Sequence, residues 1–144
     1  YEGEHRRRQF DIAKKLFSAM GIERHDAERR QDWVLCGFRQ FDAPVFIILT
    51  YDRVLDPGAT CHFDLGALAY GIVLAAWDRG LGAVTNGQGI SRSDIVREVA
   101  QIPDDEVIMT AIAMGYPDDD FAANTVKSDR EPNESFVRYV GFED

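Results

Sequence analysis

Two short stretches of the chain carry residue types that can hold a small polar ligand. Asn86-Gly87-Gln88-Gly89 lies between a β-like run and a helical one. A glycine-rich loop in that place can turn backbone N–H groups toward an anion or a flat polar molecule. The same four residues also suit an ordinary strand-to-helix turn. The second stretch is Lys127-Ser128-Asp129-Arg130, where the Arg130 guanidinium can fork two donors onto a phosphate. A solvent-facing arginine fits that pattern equally well.

Other chemistries find little support. His5, His25 and His62 lack any paired ligand spacing, so a metal site is not expected. Asp118-Asp119-Asp120 has neither the glycine nor the distal glutamate of a calcium loop and reads as a solvated turn. Neither a Gly-x-Ser-x-Gly elbow nor a cysteine–histidine signature is present. Walker and Gly-x-Gly-x-x-Gly fingerprints are absent too. In a chain with 25 acidic residues, neighbouring carboxylates carry no acid–base signal.

Composition bounds the class of protein. The 144 residues are 45% hydrophobic and 28% charged, the balance of a globular domain. A chain of this size buries roughly 68–70% of its unfolded surface, enough for one core. The formal charge of −9 repels phosphate backbones and anionic bilayers, so neither nucleic acid nor membrane is an expected partner. No uninterrupted apolar run approaches the ~20 residues of a membrane helix. Cys36 and Cys61 make no disulfide framework, which points to reduced thiols in a cytoplasmic protein. The first residue is Tyr1 and no leader-like segment opens the chain, so a trimmed or partial chain is expected.

The elements that must position the two stretches follow from periodicity. Phe10, Ala13, Leu16, Phe17 and Met20 recur at helical spacing over residues 6–20, with Arg6-Arg7-Arg8 on the wet side and Gly21 as the stop. Asp26 suits the cap of a second helix carrying Trp33, Leu35 and Cys36. Residues 44–51 form an apolar β-rich run that reads as a strand buried on both faces. Asp56-Pro57-Gly58 is a turn.

From about Phe63 to Arg79 the chain is apolar almost all round. Such a helix must be covered on most sides, in a core or at a subunit interface. A strand at 83–85 leads into the glycine loop, and Ser91 with Asp94 predicts a capped helix ending before Pro103. Val107 to Met114 is a further strand. Beyond Pro117 the chain is a polar arm, with β-like character returning at Phe136–Val140. That arm suits reaching round a neighbouring subunit. Interleaved helices and strands give an α+β or α/β sandwich.

Taken in order, several of these pieces resemble the nitroreductase family. They are Phe41-Asp42-Ala43-Pro44-Val45, Phe63-Asp64-Leu65-Gly66, and Leu74-Ala75-Ala76 with Gly80-Leu81-Gly82. Asn86-Gly87-Gln88-Gly89, Asp94-Ile95-Val96-Arg97-Glu98 and Ile102-Pro103-Asp104-Asp105 follow. Met114-Gly115-Tyr116-Pro117-Asp118, Ser128-Asp129-Arg130-Glu131-Pro132 and Val140-Gly141-Phe142 complete the match. It spans nearly the whole chain and is nearest the nitrobenzoate and nitroaromatic reductase branch.

The resemblance implies an α+β sandwich, a central sheet flanked by helices, in an intertwined homodimer whose long helices pack against each other. It implies FMN at the dimer interface and NAD(P)H as reductant. A small nitroaromatic or quinone-like acceptor would be reduced in a ping-pong reaction with no side chain acting as acid or base. Asn86, Gly87, Gln88 and Gly89 would lie beside the flavin ring, with the N–H of Gly87 or Gln88 near N5. Arg130 would meet the phosphate. Ser128 stands where some relatives carry lysine, so one charge is lost there. Trp33, Phe38 and Phe41 fall where the acceptor pocket is expected.

The family's opening Arg-x-Ser-x-Arg segment has no counterpart in these residues. The chain therefore reads as a single nitroreductase-like domain over 1–144, the C-terminal two-thirds of such a protein. Two other functions fit the same resemblance. One is a non-catalytic dimerisation or ligand-binding module, and the other a flavin dehalogenase or enoate-type reductase.

Overall fold

The structure is a computed structural model and describes residues 1–142. It divides into two units, one formed by Tyr1–His25 with the stretch from Asp119 onward, the other by Asp26–Asp118.

In the first unit, helix α1 spans Gly3–Ala19 and ends at Met20, with Gly21 in the left-handed region at φ +61°. Its N-terminal half is a ladder of charges. Arg7 pairs with Glu4 and, at 2.7 Å, with Asp11, while Arg8 Nε donates to Glu4 at 3.2 Å. The Arg7 hydrogen bond is the main reason the Glu4 carboxyl titrates low, at about 2. The arginine run is thus the wet face expected of it. Phe10, assigned to the apolar face, is 60% exposed with the Arg6 guanidinium over its ring.

The C-terminal arm runs beside α1. Lys15 Nζ meets Asp129 at 2.7 Å, and Arg8 meets Glu131 at 2.7 Å. These pairs engage the arm with the helix of its own chain. The strand expected at Phe136–Val140 is not formed; a single turn at Asn133–Ser135 precedes an irregular, exposed segment. A strand exists only when another strand takes up its backbone donors and acceptors. None among the described residues does so here.

The second unit holds the sheet. Its strands β1 (Val45–Asp52), β2 (Gly82–Asn86) and β3 (Glu106–Gly115) are ordered β1-β3-β2, all antiparallel. In the registers, Ile47 stands opposite Ile112 and Thr85 opposite Ile112 from the other side, with a bulge between Leu49 and Thr50. Strand β3 is central, and Ala111, Ile112 and Ala113 are buried in succession because both its edges are paired. Strand β1 is an edge. Its start is open, with Val45 and Phe46 half exposed and only Leu49 buried, so the reading of a strand covered on both faces is corrected.

Helix α2 (Ala27–Phe38) begins as expected, the Asp26 carboxylate accepting the Arg29 N–H at 3.0 Å. Helix α3 (Ala59–Asp78) starts one turn earlier than its apolar pattern suggested and stops at Gly80, whose φ is +71°. It packs on β2 and β1 through a narrow stripe in which Ala76 alone is buried. Phe63, Leu68, Tyr70, Leu74 and Trp77 remain exposed. Among the described residues α3 is also long and apolar enough to cross a bilayer, which the run-length criterion overlooked because His62 and Asp64 interrupt it. A buried helix in a soluble protein meets that criterion as readily.

Helix α4 (Ser93–Ala100) departs from the expected cap. Ser91 Oγ donates backward to the Gln88 carbonyl at 2.8 Å, and no side chain caps the helix. Asp94 pairs with Arg92 at 2.8 Å, which holds its carboxyl near a pKa of about 2. The turn from α4 into β3 is gathered by two arginines. Arg97 donates to the carbonyls of Ile102 (3.3 Å), Pro103 and Glu106 (2.8 Å). Arg53 Nε donates to the Asp104 carbonyl at 3.1 Å.

Candidate functional site

Strand β2 ends in Asn86, which is only 4% exposed. A buried amide must find partners or lose about 1–3 kcal/mol per unsatisfied group. Asn86 finds three. Its Nδ2 donates to the Gly37 carbonyl at 2.7 Å and to Gln40 Oε1 at 3.0 Å, and its Oδ1 accepts the Gln88 N–H at 3.0 Å. One side chain thus joins the end of α2, the residues after it and the glycine loop.

The glycines on either side are shaped by this junction. A Cβ at Gly37 would overlap the Gln88 carboxamide, and one at Gly89 would overlap the Gln40 carboxamide. Gly87 differs: its φ of −76° and ψ of −22° suit any residue, and nothing stands within 4 Å of where its Cβ would be. Neither backbone strain nor packing inside the chain explains a glycine there. The bare Cα faces open space at the exposed tip of a fixed loop.

The neighbouring turn is strained. Gln40, Phe41 and Asp42 lie in the left-handed region at φ +57°, +56° and +55°. For residues bearing a Cβ this costs roughly 1–2 kcal/mol each. The turn is held by the Asn86–Gln40 bond, by an Arg39–Asp42 ion pair at 3.0 Å, and by Phe41 tilted against Trp33 with ring centroids 6.2 Å apart. Gln40 itself is 7% exposed. In α2 the Cys36 thiol is pushed upward, chiefly by burial and then by Asp42.

The structure thus brings Asn86, Gly87, Gln88 and Gly89 together with the Trp33–Phe41 pair in the second unit. Phe38, at the end of α2, is about half exposed. Of the Gly87 and Gln88 amides expected near a ligand, that of Gln88 is taken by the Asn86 side chain. Ser128 and Arg130 belong to the first unit. There Arg130 folds back on its own turn, donating to the Ser128 hydroxyl and carbonyl and to the Asp129 carbonyl at 3.1 Å.

Sequence reasoning missed Gln40. Glutamine is usually exposed, and nothing in Gln40-Phe41-Asp42 signals a left-handed run. Among the described residues no group of three or more histidine, cysteine or carboxylate side chains could hold a metal. A further concavity of about 400 Å³ opens beside the start of α3, between Leu55, Pro57 and Cys61. The Cys61 thiol there is engaged with the carbonyls of Leu55 and Gly58, each at 3.3 Å.

An antiparallel sheet with helices packed on it, and an exposed glycine loop at the end of one edge strand, define an α+β protein. Comparison with known proteins makes the class specific. The family model described as "Nitroreductase family" matches residues 2–116, and the chain belongs to that family. It is 32% identical over 126 residues to a chloronitrobenzene nitroreductase of Comamonas testosteroni. A 4-nitrobenzoate reductase of Nocardioides sp. is 27% identical over 145 residues. These matches take in 88% and 100% of this chain, which itself spans 55% and 58% of the relatives' lengths.

The fold agrees with solved nitroreductases. An FMN- and NADPH-dependent nitroreductase from Sphigopyxis sp. strain HMH superposes with a TM-score of 0.91 at 22% identity. The match covers 99% of this chain and 63% of that one. An FMN-dependent nitroreductase from Mycobacterium smegmatis, solved with NADPH, gives a TM-score of 0.87 at 24% identity, covering 97% and 62%. The α+β nitroreductase fold anticipated from the motifs is therefore the fold of this chain.

Proposed function

We propose that this chain is part of an FMN-dependent oxidoreductase that takes reducing equivalents from NAD(P)H and passes them to a small nitroaromatic or quinone-like acceptor. The observation that carries the reading is Gly87. It is a glycine that the chain's own conformation and packing do not require, held at the tip of a loop by the buried Asn86. A bare Cα on a fixed loop leaves room for a flat ring to approach the backbone. Family membership and the names of the relatives supply the ring: the solved neighbours are described as FMN-dependent.

The residues present fit such a group. Gly87 and the backbone around it would face the ring edge, with Asn86 and Gly89 setting the loop's path. Gln88 contributes through its side chain's place over Gly37 rather than through its amide. Arg130 is assigned to the FMN phosphate, with Ser128 beside it as an uncharged donor. Its guanidinium would have to exchange contacts with its own turn for that role. Trp33 and Phe41, with Phe38 nearby, are assigned to the wall that receives an aromatic acceptor.

Bound FMN would supply the hydride chemistry in two half-reactions, one with NAD(P)H and one with the acceptor. The protein's work is then to orient the ring and to keep the acceptor stacked on it. The loop residues Asn86 to Gly89 themselves carry no carboxylate, imidazole or thiol.

The exposed Phe63, Leu68, Leu74 and Trp77 of α3 are assigned to a homodimer contact. An apolar helix of 20 residues with so narrow a buried stripe needs a second surface to cover it. With both cysteines free, the reducing cytoplasm is the assigned compartment. The relatives' greater length agrees with this chain being one part of a nitroreductase domain.

The test is a visible absorption spectrum and an intact mass on one sample, with added FMN titrated against the expressed chain. Flavin bands, followed by bleaching with NAD(P)H and recovery with a nitroaromatic, support the assignment. A colourless protein of 16.2 kDa that takes up no added FMN refutes flavin binding by this chain and favours a non-catalytic module. Faster turnover of a halogenated phenol than of a nitroaromatic would move the acceptor to the dehalogenase class. In a flavin-holding sample, Arg130→Ala is expected to weaken FMN retention by about 10- to 150-fold, the worth of one charge-assisted hydrogen bond of roughly 1.5–3 kcal/mol.

A further inference from the structure

We infer that Gln40 is a positioning residue, through which the left-handed turn at 40–42 sets both the glycine loop and the aromatic wall. The inference rests on the flavin-loop reading for its functional consequence and on the geometry alone for the coupling. Gln40 is buried, and its Oε1 takes the second hydrogen of Asn86 Nδ2 at 3.0 Å. Its carboxamide also fills the space that a side chain at position 89 would occupy, so Gly89 is a glycine on account of Gln40. One amide therefore touches the loop twice, at Asn86 before the tip and at Gly89 after it.

The same residue begins the left-handed run that carries Phe41. With φ at +57°, +56° and +55°, Gln40, Phe41 and Asp42 adopt a backbone that L-residues with a Cβ avoid. Backbone of this kind persists only where its surroundings over-determine it. Here the restraints are the Gln40–Asn86 bond, the Arg39–Asp42 pair and the Phe41–Trp33 contact. Releasing the first frees the turn to relax toward ordinary φ values, and Phe41 then leaves Trp33. The loop that would face the cofactor and the ring pair that would face the acceptor are thus set by one side chain. That side chain is assigned contact with neither ligand.

Two variants isolate the effect in the full chain. Gln40→Met keeps length and volume without the acceptor oxygen. Gly89→Ala leaves Gln40 in place but drives a methyl into its carboxamide. Gln40→Glu, which keeps an oxygen for Asn86, is the rescue. Hydrogen exchange at the Gln88 amide reads the loop directly, since that N–H is bound to Asn86. Removing one hydrogen bond should speed it by about fivefold. With nitroaromatic acceptor, KM is expected to rise in Gln40→Met and Gly89→Ala by more than kcat falls, and to return toward the parent value in Gln40→Glu.

If both variants keep the parent's Gln88 exchange and acceptor KM while the parent holds FMN, the positioning role is refuted and the flavin assignment stands. A role in filling space alone would leave Gln40→Met at parental values. If the parent takes up no FMN, the flavin assignment fails, and the Gln88 exchange rates still decide whether Gln40 sets the loop.

Discussion

Replacing Asn86 should be among the more costly single changes in the sheet unit, and its size can be worked from three contacts. Asn86→Ala removes the bonds to the Gly37 carbonyl, to Gln40 Oε1 and from the Gln88 N–H. Each is worth about 0.5–1.5 kcal/mol net, and a partner left buried without water costs about 1–3 kcal/mol. Gln40, 7% exposed, has little access to solvent in exchange, whereas Gln88 at the exposed loop can recover water. The sum is roughly 3 kcal/mol, a fall of about 10 °C in the melting midpoint for a chain of this length.

Asn86→Asp adds a sign to the size. The aspartate keeps an acceptor for the Gln88 N–H but sets an oxygen against the Gly37 carbonyl. Burial and that carbonyl both disfavour the carboxylate, so the folded-state pKa lies above the unfolded value of about 3.9. The native state then binds more protons than the unfolded chain, and stability falls as pH rises through the folded-state pKa. Relative to the parent, the aspartate variant should lose least near pH 4 and most at pH 8. Urea or thermal melts followed by Trp33 and Trp77 fluorescence measure both effects. An alanine variant within 1 kcal/mol of the parent, or an aspartate variant that gains on the parent with rising pH, would refute the junction as described.

Three further outcomes are expected. Arg97→Ala should lower the melting midpoint through loss of its bonds to the Ile102, Pro103 and Glu106 carbonyls, at roughly 2 kcal/mol, and Arg97→Lys should recover little because one ammonium cannot span all three. The Asp94 carboxyl, held near a pKa of about 2 by Arg92, should titrate by NMR below the ordinary 3.8 and move up toward it in Arg92→Ala or in 1 M salt. Its pairing therefore contributes above about pH 4 and is lost as pH falls toward 2. Trp77→Glu on α3 should turn a dimer into a monomer in light scattering, since a charge would sit on the apolar face assigned to the partner copy.

Much of the architecture was open to sequence reasoning because it rests on local rules. Asp26 caps α2, Gly80 stops α3, and the apolar runs at 44–51 and 107–114 fall in the strands Val45–Asp52 and Glu106–Gly115. The order of short motifs was enough for the family, since each motif follows from turn and packing chemistry that a chain must spell out in residue types. Covering was not legible in the same way. An apolar strand or helix announces that something must bury it, but not whether that partner is another element or another copy. Strand β1 proved to be an edge, and α3 proved mostly bare.

The expected strand at 136–140 failed for the same reason. A strand is a relation between two segments, and residue types describe only one of them.

For the candidate site the division is sharper. Sequence alone marked out Asn86-Gly87-Gln88-Gly89 as a loop that could present backbone N–H groups to a ligand, while an ordinary strand-to-helix turn suited the same residues. Only tertiary structure separated their roles. Gly37 and Gly89 are glycines because carboxamides from distant positions lie over them, whereas Gly87 is bare toward open space. Only tertiary structure showed that Gln40, 46 residues before Asn86, completes the buried amide's bonding. A left-handed turn of three such residues persists only where its surroundings over-determine it. One of its restraints here, the Gln40–Asn86 bond, comes from a strand 46 residues away that the local stretch does not reveal.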